Sequence, residues 1–448
     1  MGSSRAWHIG KAMAFACLAA GFALPAQAQV VRDNGTVTLQ GAVAAALETN
    51  PQIIQAQYNE EAVSAQEDQA RGAFYPQVDL EAGTGVRQLR NNTRTNLGIA
   101  DDLLYPTDAR AGINYTIFDF GRRRGELARQ AARADAAAVQ VVQRADAVAL
   151  EVARRYLDLV LQDRLALSAQ ESLVFHRVLV GDLQRGIDAG TVGRPERRLA
   201  EDRLQAALVR EIEAGRARDI ARIQLLELTG LDIARPLPPP DLSGQLPEGL
   251  DMAIATLLER NPAVLAAQLE VTAAEALLQS IRGERYPEIG VDLAAQTGDD
   301  IDGFGGQTDD LRARVSVRWN VFDGGITEAR VREASARANE QRFRLAETAR
   351  AASAELRAAL STADAQGRFA STYGEQTVIT QDLSESYRRQ FEIGRRNLLE
   401  LLDARMRMQE AQDRQAQAEY ARLFAQYEAL ALLDLLLESL QLAPPIGH

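Results

Sequence analysis

This chain of 448 residues has one cysteine, one lysine and three histidines, and beyond its first few dozen residues it has no long uninterrupted apolar run. Each scarcity removes a class of function. The cysteine, Cys17, lies in an apolar run over 12–24 that follows Arg5 and Lys11 and precedes Ala26-Gln27-Ala28. That is the layout of a secretory signal over 1–28 with its cleavage site. Cleavage leaves 420 residues with no thiol or disulfide chemistry. Lipidation at Cys17 fits less well, because the apolar run continues past it and Ala14 stands where a leucine is usual. Lys11 leaves with the signal, so no phosphate-loop motif can exist, and no Gly-x-Ser-x-Gly nucleophile turn occurs. His176 and His448 have no companions at metal-ligand spacing. With no catalytic set, cofactor site or metal site legible, the chain is not expected to be an enzyme. Loss of Arg5 and Lys11 takes the net charge from −12 to −14, a poor balance for binding nucleic acid. Asp434 and Glu438 break the apolar stretch 430–442, and ~18 residues are needed for a spanning helix. Any membrane contact must therefore be made with strands.

What the chain does have is a pattern stated twice. Asn50-Pro51 and Tyr75-Pro76 recur as Asn261-Pro262 and Tyr286-Pro287, displaced by 211 residues. Phe118-Asp119-Phe120-Gly121 and Gly190-Thr191-Val192-Gly193 recur as Phe322-Asp323-Gly324-Gly325 and Gly394-Arg395-Arg396-Asn397, displaced by 204. The period is too long for a solenoid, so the reading is a duplicated half-molecule. The halves span 29–230 and 251–442. Between them the segment 231–250, with Pro236 and Pro238 to Pro240, cannot be regular helix. A short tail, 443–448, ends the chain.

Within each half the hydrophobic period changes twice. Asn50 is a good N-cap and Pro51 a good first helical residue, so a helix of about six turns should run over 51–72. After Tyr75-Pro76 the period becomes two: Val78, Leu80, Ala82, Thr84 and Val86 alternate with Gln77, Asp79, Glu81, Gly83 and Gly85. The partner strand sets Ala111, Ile113, Tyr115 and Ile117 against Arg110, Gly112, Asn114 and Thr116. These make a β-hairpin over 77–118. The second half repeats it over 288–322, with Ile289, Val291, Leu293 and Ala295, then Leu311, Ala313, Val315, Val317, Trp319 and Val321 opposite Arg312, Arg314, Ser316, Arg318 and Asn320. Strands of about ten residues can cross a tilted barrel wall. After each Phe-Asp landmark come 68 residues without proline, 122–189 and 326–393, each able to reach about 100 Å as helix. In the first, Ala145, Val152, Leu159, Ala166, Leu173, Val180 and Ile187 fall seven apart, accompanied by Val160, Leu167 and Val174, a coiled-coil seam. Each helix turns at its glycine and returns, giving helical hairpins over 122–229 and 326–441.

The expected fold class is thus an α+β membrane protein with an internal two-fold repeat. Four strands cannot close in lipid, so several copies must share a barrel. A dimer supplies eight strands and a trimer twelve; the charged inward faces favour the wider, water-holding ring. Phe74, Tyr75, Phe118, Phe120, Tyr286, Trp319 and Phe322 collect where strands meet helices and suit an interfacial girdle. Polar loops, 87–109 and 297–310, should face outward. The acids Asp299, Asp300, Asp302, Asp309 and Asp310 read as a solvated run before a calcium site.

In this order and duplicate spacing, the landmarks, with the stretch 394–404 reading GRRNLLELLDA, resemble the TolC family of outer-membrane factors over essentially the whole mature chain. The resemblance implies a homotrimer with a twelve-stranded barrel in the outer membrane of a Gram-negative bacterium. It also implies a helical tunnel through the periplasm, meeting a periplasmic adaptor tied to an inner-membrane ABC or proton-driven transporter. By that likeness Gly190, Thr191, Val192, Gly193, Gly394, Arg395, Arg396, Asn397 and Leu398 form adaptor-docking turns. Asp382 and Glu385 match the acidic tunnel constriction, although Arg388 and Arg389 follow and make cation selectivity doubtful. The expected role is the exit duct of a tripartite export system, with type I protein secretion placed first on the GRRNLLELLDA stretch and drug or metal efflux as the alternative. A periplasmic coiled-coil adaptor is the competing class, but it would carry one hairpin interrupting a β-rich module.

Overall fold

The computed structural model describes residues 36–190 and 192–444. The signal segment with Cys17, the turn residue Thr191 and His448 lie outside the described residues. The chain begins with β1 (Thr36–Val37), α1 (Leu39–Thr49) and α2 (Pro51–Gly72), which lead into β2 (Gln77–Thr84). A loop bearing β3 (Arg87–Gln88), α3 (Asn92–Asn96) and β4 (Leu103–Leu104) connects to β5 (Thr107–Phe118), followed by α4 (Arg122–Asp188) and α5 (Arg194–Thr229). After β6 (Arg235–Pro236) the second half runs α6 (Leu250–Arg260), α7 (Pro262–Gly283), β7 (Glu288–Asp299), β8 (Gln307–Arg318), α8 (Ile326–Glu392), α9 (Leu398–Leu432) and α10 (Leu436–Ser439).

The repeated motifs turn out to be helix starts. Asn50 accepts the Gln52 N–H at 2.9 Å, and Asn261 accepts those of Ala263 and Val264 at 3.0 and 3.2 Å, with proline at the first helical position in both. The Phe-Asp-x-Gly copies place a carboxylate over the first turn of each long helix. Asp119 accepts from the Gly121 and Arg123 N–H groups, and Asp323 from those of Gly325 and Thr327. Gly121 and Gly325, at φ +88° and +86°, make the corner between strand and helix. α4 and α8 then run 67 residues each, about 100 Å.

The four long strands form one antiparallel sheet in the order β2-β5-β7-β8. The two expected hairpins are therefore zipped together through β5 and β7. The second hairpin differs from expectation at both ends. Strand pairing continues to Asp299 opposite Gln307, so Asp309 and Asp310 lie in a strand, not a loop. Trp319 and Val321 fall beyond the last paired residue, Arg318, and the Trp319 indole N–H instead donates to the Arg285 carbonyl at 3.1 Å.

Most of the buried apolar volume forms a belt around the middle of the helical shaft. Leu39, Val43, Ile53, Val152, Tyr156, Leu225, Leu430 and Leu436 pack there under the segment that joins the halves. Tyr156 is fully buried, its hydroxyl 2.8 Å from the carbonyls of both Val37 and Leu237, and burial pushes its pKa up to about 12. It thereby pins the parallel β1–β6 pair to α4. Of the expected seam, Ala145, Val152, Leu159 and Leu173 are buried, whereas Leu167 and Val174, expected to accompany it, are 56% and 51% exposed. One helix among the described residues, α7, is long and apolar enough by composition to cross a bilayer; it carries Glu270 and Glu275 and packs along α4 and α8.

Where the shaft meets the sheet, α4 and α7 touch backbone to backbone. A Cβ on Gly125 would lie 2.5 Å from the Ser280 nitrogen, and the Ser280 hydroxyl donates to the Arg122 carbonyl at 2.9 Å. Gly125→Ala should force the helices apart and destabilise the fold by about 1–3 kcal/mol, read as a lowered midpoint in thermal unfolding followed by helical circular dichroism.

Also in the shaft, Asp146 of α4 is 6% exposed beside Asp434, which follows α9. Burial first, and then the Asp434 carboxyl, push Asp146 well above the ordinary carboxylate range; Asp434 is raised by burial too, against the Arg260 guanidinium 3.7 Å away. Because the native state keeps a proton that the unfolded chain has released, stability should fall as pH rises from about 4 to about 8. Asp146→Asn should flatten that slope and raise the melting temperature at pH 8, as a pH series of melting curves will show.

Candidate functional site

Strand register sorts the side chains of the sheet into two unlike faces. Val78, Ile113, Leu293 and Ala313 stand in one row across all four strands, and Leu80, Ala111, Ala295 and Leu311 in the next. On the reverse face the rows read Gln77, Asn114, Asp292, Arg314 and Glu81, Arg110, Gln296, Asp310. Residues directly opposite in a ladder share a face, so a period of two in each strand becomes a continuous apolar surface backed by a continuous polar one. No described element covers the apolar side: Leu80 and Leu311 are 82% and 85% exposed. The polar side is cross-linked by side chains. Arg122 and Thr116 donate to Glu288 at 2.9 and 3.0 Å, Arg314 and Ser316 to Asp292 at 3.3 and 3.1 Å, and Asn114 to Asp79 at 3.3 Å. Such a wall is apolar on one side and polar on the other.

The expected aromatic residues gather at the helix-facing end of this wall. Phe118 meets Phe120 edge to face at 4.6 Å, and Phe120 stacks on Tyr286 at 4.9 Å. The Arg123 guanidinium lies 5.0 Å from the half-buried Phe74 ring and also donates to Asp119 at 2.8 Å. Burial pushes Asp119 up, but the backbone N–H and guanidinium of Arg123 outweigh it and hold the carboxyl below its usual value. Tyr75, Trp319 and Phe322 point outward without a ring partner among the described residues.

At the far end of the shaft the two helical turns have matching geometry. Gly190 and Gly394 adopt φ +75° and +72°, and Gly193 and Asn397 share φ −85°, ψ 161° as the caps of the returning helices. Asn397 forms a capping box with Glu400, whose carboxyl is held below its usual value by the Asn397 N–H and then by Arg396. Arg396 bonds Gln390 and Glu400 and lies 4.4 Å from the Tyr387 ring. Leu398 departs from its expected place in a docking surface. At 3% exposure it packs with Leu179, Leu183, Ala200 and Leu401, holding the tips of the two hairpins together. Val192 packs partly against the same cluster, while Gly190, Gly193, Gly394, Arg395 and Asn397 remain exposed. Asp382 and Glu385 are exposed on one face of α8, with Arg389 a turn beyond Glu385 on that face and Arg388 paired to Glu392 at 3.3 Å.

A family model described as outer membrane efflux protein matches residues 42–231 and 253–434, most of both halves. The chain belongs to the outer membrane efflux protein family. It is an outer-membrane transport protein reaching into the periplasm, and not an enzyme. Among curated proteins it is similar to Protein CyaE of Bordetella pertussis, 27% identical over 346 residues that cover 74% of this chain and 72% of that one. It is also similar to the outer membrane efflux protein BepC of Brucella suis, 22% identical over 73% of this chain and 72% of the relative. Among solved structures, the open state of the Neisseria gonorrhoeae MtrE outer membrane channel superposes with a TM-score of 0.76 at 20% identity, covering 89% of each chain.

Two features of this chain were not visible as such in its sequence. Arg94, in a loop expected to be solvated, is 1% exposed and donates to the carbonyls of Gly303, Ile99 and Asp102, the last two at 2.6 and 3.0 Å. It fastens the loop after β2 to the loop between β7 and β8. The acidic run is likewise spent on loop and strand hydrogen bonds: Asp300 accepts from the N–H groups of Tyr105 and Gly306, Asp302 from that of Phe304, and Asp309 from the Thr297 hydroxyl. Among the described residues no three metal-binding side chains converge. Asparagine three residues before glutamate was the available signal at the second tip. Asn397→Ala should cost about 1 kcal/mol and speed amide hydrogen exchange in the first turn of α9, with the matching turn of α5 unchanged.

Proposed function

We propose that three copies of this chain share one twelve-stranded barrel and that their helical hairpins continue it as a periplasmic tunnel, the exit duct of a tripartite export system. The observation that carries this reading is the uncovered apolar face on a four-stranded sheet with two open edges. In hydrocarbon every backbone N–H and C=O has to be paired, so the edges must meet other strands. Apolar side chains left bare along the shaft support self-association over its length: Val209, Ile212 and Ile223 of α5 and Phe343, Val378 and Ile379 of α8 are each more than half exposed. The charged face lines a wet lumen, and the aromatic cluster marks one membrane interface.

In this reading the conduit is passive, and energy comes from an inner-membrane transporter reached through a periplasmic adaptor. The turns Gly190 to Gly193 and Gly394 to Asn397 are the adaptor contacts, with glycine backbone open to close approach. Asp382 and Glu385 narrow the tunnel above them, their charge tempered by Arg389. For cargo, the GRRNLLELLDA stretch supports protein export through an ABC transporter ahead of drug or metal efflux. Purified protein in planar bilayers should give discrete conductance steps, and a folded protein that never conducts would refute the duct. Deleting the gene should deplete the secreted proteome; unchanged secretion with heightened drug or metal sensitivity would move the assignment to efflux.

A further inference from the structure

His176 has no companions at metal-ligand spacing, yet it lines a cavity of about 260 Å³ between the two helical hairpins, beside the leucine cluster at their tips. Helical spacing assembles the walls. Ser172 and His176 are four apart on α4, Arg203 and Arg210 seven apart on α5, and Arg405 and Gln409 four apart on α9, so each pair presents one helix face to the same space. Three guanidinium groups and an imidazole thus converge. The one acid among the lining residues, Asp403, is paired with Arg407 at 2.9 Å, and Arg210 is paired with Asp413 at 2.7 Å. Arg203 and Arg405 have no carboxylate partner among the described residues. Glu171 acts on Arg405 from a distance, but it borders the next cavity toward the tips.

The hydrogen bonds of these groups are as incomplete as their charge. The Arg405 Nε is buried without a partner, Nη1 reaches only the weakly accepting Met408 sulfur at 3.6 Å, and the guanidinium lies 5.0 Å from the Phe175 ring. His176 Nδ1 is likewise buried without a partner. Leaving buried polar groups unmade is costly, and neither side chain is tied to an acceptor that an incoming ion would have to displace. Burial first, then Arg405 and Arg203, hold the imidazole below its ordinary range, so the surplus positive charge is present even with His176 neutral.

We propose that this cavity binds a small oxyanion of the sulfate or phosphate class, held by Arg203, Arg405 and His176, and that the bound ion clamps the two hairpins together behind their tips. Guanidinium forks match an ion that offers several oxygens, and the volume falls short of the roughly 300 Å³ at which sites for larger ligands begin. The clamp follows from connectivity: α4 and α5 form the first hairpin, whereas α9 returns in the second. The site is complete within one chain and does not rest on the shared barrel.

Inorganic sulfate tests this, since its charge is fixed across the relevant pH range. Titration calorimetry on the full-length protein in detergent, at constant ionic strength against chloride, should show sulfate binding. Arg203→Gln and Arg405→Gln should each weaken it at least about tenfold, while Arg216→Gln, an exposed arginine of α5 outside the cavity, should leave it unchanged. Arg203 is itself exposed, so its replacement keeps the test valid if Arg405→Gln fails to fold. A dianion favours the charged imidazole, so affinity should rise at least about threefold from about pH 7.5 to about pH 5.5, and His176→Gln should abolish that rise. His176 has Arg203 and Arg210 of α5, Asp403 and Arg405 of α9, and Glu171 of its own helix around it. Bound sulfate should also slow amide exchange in α4, α5 and α9 around the cavity. No binding beyond that of chloride, equal affinity in Arg203→Gln and the parent, or an equal loss in Arg216→Gln would overturn the site. Binding without slower exchange would refute the clamp, and a pH rise that persists in His176→Gln would remove the imidazole from it.

Discussion

Unpaired backbone in lipid is the constraint from which the rest of this molecule can be reasoned. A sheet with an uncovered apolar face has to stand in hydrocarbon, and there each strand needs a neighbour on both sides because no water is present to pair its N–H and C=O groups. The four strands of one chain satisfy this only at β5 and β7. The duplicated half therefore does more than double the length. It brings two hairpins together in one ladder, leaving a single pair of open edges, β2 and β8.

The transition from sheet to shaft is handled by local chemistry repeated in both halves. An aspartate carboxylate accepts the first helical N–H groups, a glycine in the left-handed region turns the chain, and 67 residues of helix follow. Alanine and glycine at the crossing of α4 and α7 let the helices approach closely, so the shaft is thin and has little interior of its own. Its core is concentrated where the joining segment wraps around Tyr156 and Tyr427, with a smaller cluster tying the tips. A protein built this way holds its shape through caps, a belt and a cluster at the tips more than through one central core.

Much of this was legible in the sequence because it is local. Asn-Pro starts, the switch from a period of two to a heptad, and glycine at each helical turn all act within a few residues of themselves. The helix bounds at Pro51 and Gly72 follow from them directly. Less legible was whatever depends on partners far along the chain. An arginine in a polar loop reads as solvated, yet Arg94 is enclosed by carbonyls contributed in part from a loop two hundred residues away. Leu398, next to a glycine turn, reads as a surface contact, yet the neighbouring hairpin covers it.

By itself the sequence determined the two-fold repeat, the elements of each half and the two-faced strands, since these need only periodicity and composition. The tertiary structure decided that β5 pairs with β7, which edges stay open and which tip residues are buried. Those outcomes turn on register between segments separated by more than a hundred residues, and the period of two within one strand fixes which face is apolar but not which distant strand it lies beside.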